Sequence, residues 1–384
     1  MTERTVDLLV AGGGVFGLWI ARRALQAGLS VMLVERRRVG WGASGGLLGA
    51  LTAHTPDRWN EKKAFQFAAL VELEGEIDRL EAETGASAGF GRTGRVMPIA
   101  TEAFLGQVAE RTAGAAERWR SGGRVWTYEA RRDARQEGWL SAEAAPLGYA
   151  EDTLAARVAP GRYLAALASA VTRAGGEIRE DVGFVDWDGS ARLSDGEAVR
   201  AGAVALSAGF ESFPMLERVT GRDLGGGIQG QTALFERPGF ENRPLIYTDG
   251  IYVAPHGDGT IAVGSTDRKG WEAADAVDLD DVAFIARAQA LCPAISGLRP
   301  VRRWAGVRPK AWTRDPLIGR LPGAPPLWAA TGGFKISFGI AHRIAAALID
   351  RIVGAERPTP VPERFEIAAH LAAAERRSPA PQST

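Results

Sequence analysis

The run Val6-Asp7-Leu8-Leu9-Val10-Ala11 is short and apolar, the pattern of a strand buried on both faces. The period then lengthens. Leu18, Ile20, Ala21, Ala24 and Leu25 recur at helical spacing, and Gly28 stops that helix. Val31-Met32-Leu33-Val34 gives a second buried strand, which ends on Glu35. Between the first strand and the helix stands Gly12-Gly13-Gly14-Val15-Phe16-Gly17. The pattern predicts a β-α-β unit carrying G-x-G-x-x-G at Gly12, Gly14 and Gly17.

Later stretches repeat both periods. Trp59 to Thr84 reads as one amphipathic helix through Phe65, Phe67, Leu70, Leu73, Ile77 and Leu80, closed by Gly85 and Gly89. Gly94 to Ile99 predicts a strand, Glu102 to Arg111 a helix, and Glu129 to Glu137 a charged, solvated helical face. Pro160 to Ala174 predicts a helix, Glu177 to Arg179 a strand, and Val199 to Leu206 strands that stop on Ser207-Ala208-Gly209. Strand-like alternation runs from Gly227 to Gly264, with a turn at Asp258-Gly259. A helix from Leu279 to Leu291 follows, then strands at Val301 to Pro309 and Leu327 to Ala330, and a closing helix from Ile340 to Val353. From Arg357 a Pro-rich ending and a short helix, Glu363 to Arg377, read as peripheral, with a disordered end.

The glycines of the opening motif have separate physical tasks. Gly12 makes the tight turn, Gly14 lets a pyrophosphate approach the backbone, and Gly17 lets helix and strand pack closely. The N–H groups at the start of the helix, around Val15 and Phe16, face the phosphates. Glu35 stands roughly 20 residues on, where an acid accepts ribose hydroxyls and disfavours a 2′-phosphate. Arg36 falls beside the adenosine position, whereas Arg37 and Arg38 read as solvated. The segment Val39 to Ala50 is dense in glycine, which fits close approach to a ligand or a flexible loop. The strand that ends on Ala208-Gly209 fits a ligand wall.

Composition narrows the classes. Lys plus Arg equals Asp plus Glu at 46 each, so charge points to neither a nucleic-acid nor an anionic-membrane binder. The single cysteine, Cys292, reads as a packed small hydrophobe and permits no internal disulfide, which fits a reducing, cytoplasmic setting. No long uncharged apolar stretch predicts a membrane span, and the four scattered histidines give no metal-ligand spacing. Gly42-Ala43-Ser44-Gly45-Gly46 matches the G-x-S-x-G nucleophile elbow of hydrolases, but no strand precedes it, as that elbow requires.

Three stretches are more specific. Ala43-Ser44-Gly45-Gly46-Leu47-Leu48-Gly49-Ala50 resembles the loop beside the flavin ring in glycine oxidases. Trp304-Ala305-Gly306-Val307-Arg308-Pro309 is similar to W-A-G-L-R-P, and Gly333-Phe334-Lys335-Ile336-Ser337 resembles G-F-K-x-S of sarcosine oxidases. Together with the opening unit, they make residues 6–355 resemble the FAD-dependent D-amino-acid oxidase, glycine oxidase and sarcosine oxidase family. The resemblance implies an α/β (α+β) fold. A Rossmann-like FAD-binding domain (1–88, 151–225 and 300–356) carries a discontinuous antiparallel-sheet substrate domain (89–150 and 226–299), with 357–384 as a peripheral extension. It implies cofactor contacts from Gly12, Gly14, Val15, Phe16, Gly17, Glu35, Arg36, Ala43, Ser44, Gly46, Leu47, Leu48, Ala208, Gly209, Gly306, Gly332, Gly333, Phe334 and Lys335. It also implies oxidation of an amine next to a carboxylate by hydride transfer to flavin N5. The family's attachment cysteine has no counterpart near Arg308, so FAD is expected to be non-covalent. The lysine that the family uses for oxygen activation aligns with Ala262, and the arginine after its second glycine-rich loop is missing among Leu51, Thr52 and Ala53. The electron acceptor is therefore open between oxygen and another oxidant, as is homo-oligomerisation.

Within the resemblance, Arg308 and Tyr252 reach the substrate carboxylate and Lys335 lies in the substrate site. Each residue also has a plainer reading. Arg308 fits a bidentate grip or a structural ion pair, Tyr252 a phenol donor or an interface aromatic, and Lys335 a substrate contact, a flavin contact or a solvated cation. No general base is demanded, because the flavin carries the hard chemistry. Other readings are a 2-hydroxy-acid dehydrogenase, a nicotinamide-dependent dehydrogenase and a flavin subunit that passes electrons to another acceptor.

Overall fold

The computed structural model describes residues 4–277, 280–322 and 326–377. Its first sheet is built on strand β1 (Arg4–Ala11), where Leu8, Leu9 and Val10 are completely buried. β1 pairs in parallel with β2 (Val31–Val34) on one side and with β3 (Ala198–Leu206) on the other. Parallel pairing continues outward to Glu177–Arg179 beyond β2 and to Leu327–Thr331 beyond β3. Helix α1 (Val15–Gln26) joins β1 to β2 and buries Leu18, Trp19 and Ile20. Burial on both faces explains why Leu8–Ala11 and Val31–Val34 are continuous apolar runs without alternation.

The second sheet is mostly antiparallel. β4 (Gly225–Glu236) is its longest strand and pairs with β6 (Thr260–Gly264) and β7 (Arg302–Ala311). β6 pairs with β5 (Ile251–Pro255), then Leu245–Thr248, Arg95–Pro98, Tyr149–Asp152 and Tyr128–Arg131 follow in order. Leu245–Thr248 and Arg95–Pro98 pair in parallel, so this sheet is stitched from two distant parts of the chain.

Several elements differ from expectation. β7 and Tyr149–Asp152 lie in the second sheet, outside the 89–150 and 226–299 segments in the first case and across a boundary in the second. The charged segment 129–137 is no helical face. Its first part is the strand Tyr128–Arg131, and a single 3₁₀ turn, Ala134–Gln136, follows. Pairing with Tyr149–Asp152 and an Arg131–Glu151 contact of 3.3 Å override the local helical tendency. The helix from Glu102 runs on to Arg118, started by a Thr101 side-chain cap. The C-terminal segment is not peripheral. Phe365 is fully buried edge-on to Phe65, and His370 is also buried. The expected helix start at Leu279 and the chain end beyond Arg377 lie outside the described residues.

No described helix is long and apolar enough to cross a membrane, and among the described residues no cluster of His, Cys, Asp or Glu suits a metal ion. Cys292 is buried behind the second sheet, which pushes its thiol up to about 12.

Candidate active site

A cavity of about 590 Å³ lies between the carboxyl ends of the first sheet's strands and the face of the second sheet. One wall carries the ends of β1, β2 and β3, at Gly12, Glu35 and Ala208. The opposite wall carries Tyr252, Trp304, Gly306 and Arg308. The cavity is continuous, so the same space serves both.

The nucleotide end is built mostly from backbone. Gly12 has φ +117°, and a Cβ there would lie 2.5 Å from Ser207 O. A Cβ on Gly17 would lie 1.9 Å from Gly12 O, so the helix packs directly on the turn, as expected. Gly14 differs. A Cβ there meets only Ser44 Oγ, at 3.3 Å. The space it would enter is the cavity itself, which is the cradle a pyrophosphate needs. Glu35 Oε2 accepts from Gly13 N at 2.7 Å, and Oε1 accepts from Arg37 N at 3.0 Å. Each carboxylate oxygen keeps a second lone pair for a ribose hydroxyl. These residues fit a dinucleotide.

Ser44 shows why its motif misleads. It sits in the 3₁₀ turn Ala43–Gly45, with no strand before it, and its hydroxyl accepts from Val15 N at 3.1 Å. That hydroxyl partners the start of α1, which has no side-chain cap of its own, and no nucleophile elbow forms. Arg36 pairs with Glu211 across the cavity mouth, and Arg37 and Arg38 lie over the Trp41 ring at 4.7 and 5.4 Å.

The far end is built from side chains. Arg308 on β7 is largely buried, 12% exposed, and its guanidinium lies against Gly230, where a Cβ would come within 2.2 Å of Nη2. Nη1 donates to Ser265 Oγ at 3.0 Å. Nη2 faces Asp267 Oδ1 at 2.8 Å, Gln229 O at 3.2 Å and Thr266 O. Burial pushes the Arg308 pKa down, and Asp267 opposes that. Lys335 Nζ donates to the other Asp267 oxygen at 2.7 Å. Arg308, Lys335 and Lys310 all approach the Phe334 ring, at 5.3, 5.6 and 5.2 Å, and Phe334 itself has φ +46°. So both readings of Arg308 meet in one place: the arginine lines the cavity, and its fork is already engaged by a carboxylate of the chain.

Tyr252 Oη lies 3.1 Å from Thr52 Oγ1, and its ring packs tilted against Tyr247 with centroids 4.4 Å apart. Gln66 supports this corner by donating to Thr52 O at 3.0 Å and accepting from His54 N at 2.8 Å. Burial lowers the His54 pKa and favours its neutral form.

Most of the expected site residues converge on this cavity, but Gly17, Leu47 and Gly332 do not line it. Leu47 turns into the core, and its carbonyl accepts from His256 Nε2 at 2.9 Å. Gly332, at φ +76°, shapes the turn behind the wall. The sequence reading missed Gly230, Thr52, His54, Gln66, Trp304 and Asp267. Trp304 was legible inside its motif. Its ring covers Gly306 and Gly46, where added Cβ atoms would come within 2.3 and 3.2 Å.

A family model described as DAO, FAD dependent oxidoreductase, matches residues 7–347. A glycine oxidase of Pseudomonas aeruginosa is 28% identical over 382 residues, covering 93% of this chain and 96% of that protein. Among solved structures, glycine oxidase from Geobacillus kaustophilus has a TM-score of 0.81 at 21% identity, covering 96% of this chain and 98% of that one. Iminodiacetate oxidase from Chelativorans sp. BNC1 has a TM-score of 0.82 at 19% identity, covering 94% and 98%. At these identities the structural likeness speaks to fold.

Proposed function

The chain belongs to the DAO family of FAD-dependent oxidoreductases, and on that premise we propose that it oxidises the C–N bond of a small amino or imino acid of the glycine, sarcosine or D-amino-acid type. The observation that carries this reading is the cavity. A dinucleotide cradle at one end opens directly onto Arg308 and Lys335 at the other. Glycine oxidases among its relatives support the substrate class.

Gly12, Gly14, Val15, Phe16 and Glu35 would hold the nucleotide part of FAD, and the 43–50 loop, Gly306 and Gly333 would line the rest of its site. FAD is held non-covalently. When bound, FAD supplies the two-electron acceptor for hydride from Cα. The chain's own residues bind and orient. Arg308 and Lys335 take the carboxylate and fix the direction in which Cα points. Around Tyr252 two hydroxyls share a hydrogen bond, His54 is held toward its neutral form, and the Arg95 charge is paired with Asp152. None of these groups draws the proton from an ammonium, so the amine reacts as the free base. The trimmed nucleotide end and side-chain-built far end also suggest that the two sheets act as a cofactor-binding and a substrate-covering unit.

Anaerobic mixing with glycine, sarcosine, proline, D-amino acids and 2-hydroxy acids tests the proposal. At least one amino or imino acid is expected to bleach the flavin. Bleaching by 2-hydroxy acids alone would replace the substrate class. Reoxidation of the bleached protein by air against an artificial acceptor then separates an oxidase from a dehydrogenase.

A further inference from the structure

Arg308 Nη2 carries two hydrogens yet faces three acceptors: Gln229 O, Thr266 O and Asp267 Oδ1. All three cannot be satisfied fully at once. Two of these are backbone carbonyls, fixed in or beside the second sheet. Only the Asp267 carboxylate stands on a rotatable side chain, and it is half exposed at 51% while Arg308 is at 12%. Asp267 can therefore turn to water at little loss, and Arg308 cannot. The group also has a charge surplus. Asp267 is shared between Arg308 and Lys335, so two cations meet one carboxylate within this cluster.

We propose that Asp267 is a displaceable counter-ion of the substrate site, holding Arg308 and Lys335 until a substrate carboxylate takes its place on Arg308. The inference rests on the reading of Arg308 as the carboxylate-binding residue. Its physical logic is exchange. A buried guanidinium without an anion is strongly unfavourable, and here it always has one. Substrate affinity is then the difference between two carboxylates on one fork. Such a site binds carboxylates weakly and releases them quickly, and it selects against amines that carry no carboxylate, because these cannot dislodge Asp267. Asp267 is a specificity-determining residue in this scheme and takes no part in bond breaking.

The test uses the FAD-loaded full chain and acetate, a carboxylate with no amine to oxidise, followed through the flavin absorbance difference. Asp267→Asn is expected to lower the acetate Kd by about 5-fold or more and to slow acetate release, since the half-exposed competing pair is gone. Asp267→Glu keeps the competitor and should stay near the wild-type Kd. Asp275→Asn removes an exposed carboxylate from the same cavity wall without touching the Arg308 fork, and should tighten acetate far less. An Asp267→Asn Kd equal to or above wild type overturns the inference. Equal tightening by Asp275→Asn also overturns it, because the effect would then be general charge. Asp267→Ser repeats the measurement should the Asn variant lose FAD. If neither wild type nor any variant responds to acetate, the reading of Arg308 itself fails. A wild-type response without tightening in Asp267→Asn sinks only the counter-ion.

Discussion

The two ends of the cavity are built on opposite principles. The nucleotide end centres on the local β1–α1–β2 unit, with Ser44 and Ala208 added from farther along the chain, and works mostly through backbone: glycines that make room, the start of α1, and one carboxylate bonded to Gly13 N. The far end draws on many separate segments and works through charged side chains, with Arg308, Asp267 and Lys335 meeting only in the folded protein. A phosphate site made of backbone tolerates no added atoms and needs no counter-ion. A carboxylate site made of a buried guanidinium needs an anion at all times. The first is therefore preformed, and the second, on our proposal, exchanges partners.

Substitutions at four positions break or sharpen this contrast. The largest effect is expected at the nucleotide end. Gly14→Val fills the space above the turn, so the purified protein should be colourless while its circular dichroism stays native-like. A yellow Gly14→Val protein would mean that the dinucleotide runs elsewhere. At the far end, Arg308→Ala should keep the flavin spectrum but cut kcat/KM by about 100-fold, or about 2.7 kcal/mol. Arg308→Lys should recover only part of this, since an ammonium cannot reproduce the planar fork. If wild type oxidises amines equally well with and without a carboxylate, the arginine is structural.

Smaller effects follow. Glu35→Ala should weaken FAD binding by about 1–3 kcal/mol, because it removes a charged acceptor from Gly13 N and from the ribose. Equilibrium dialysis of flavin checks this, and an unchanged Kd would leave Glu35 as a turn-forming residue only. Ser44→Ala deletes the acceptor for Val15 N and should lower stability by about 1 kcal/mol, read as a drop in Tm. It should leave a flavin with catalytic turnover. Abolished turnover with intact FAD would instead revive a chemical role for Ser44.

These contrasts track what can be read in a linear chain. The β-α-β unit was legible because each of its signals is local: a buried run, a glycine turn, a helical period, a second run and an acid at fixed spacing. The motif around Arg308 was legible as a motif. Its surroundings were not, because Asp267 lies 41 residues away and Lys335 lies 27 residues beyond Arg308. The segment 129–137 failed for a related reason. Charge alone suits an exposed helix or an edge strand, and only its partner Tyr149–Asp152 selects the strand.

By itself the sequence determined where backbone must come close to a ligand, since absent side chains and period changes are properties of neighbouring residues. It also determined that a cation would stand beside the late glycine turn. Only the tertiary structure decided what that cation and Arg308 meet. Pairing of β4 with β7 lays Arg308 over Gly230, and pairing of β4 with β6 delivers Ser265, Thr266 and Asp267 to the same guanidinium. Strand register sets such meetings across long separations, and no local period encodes register.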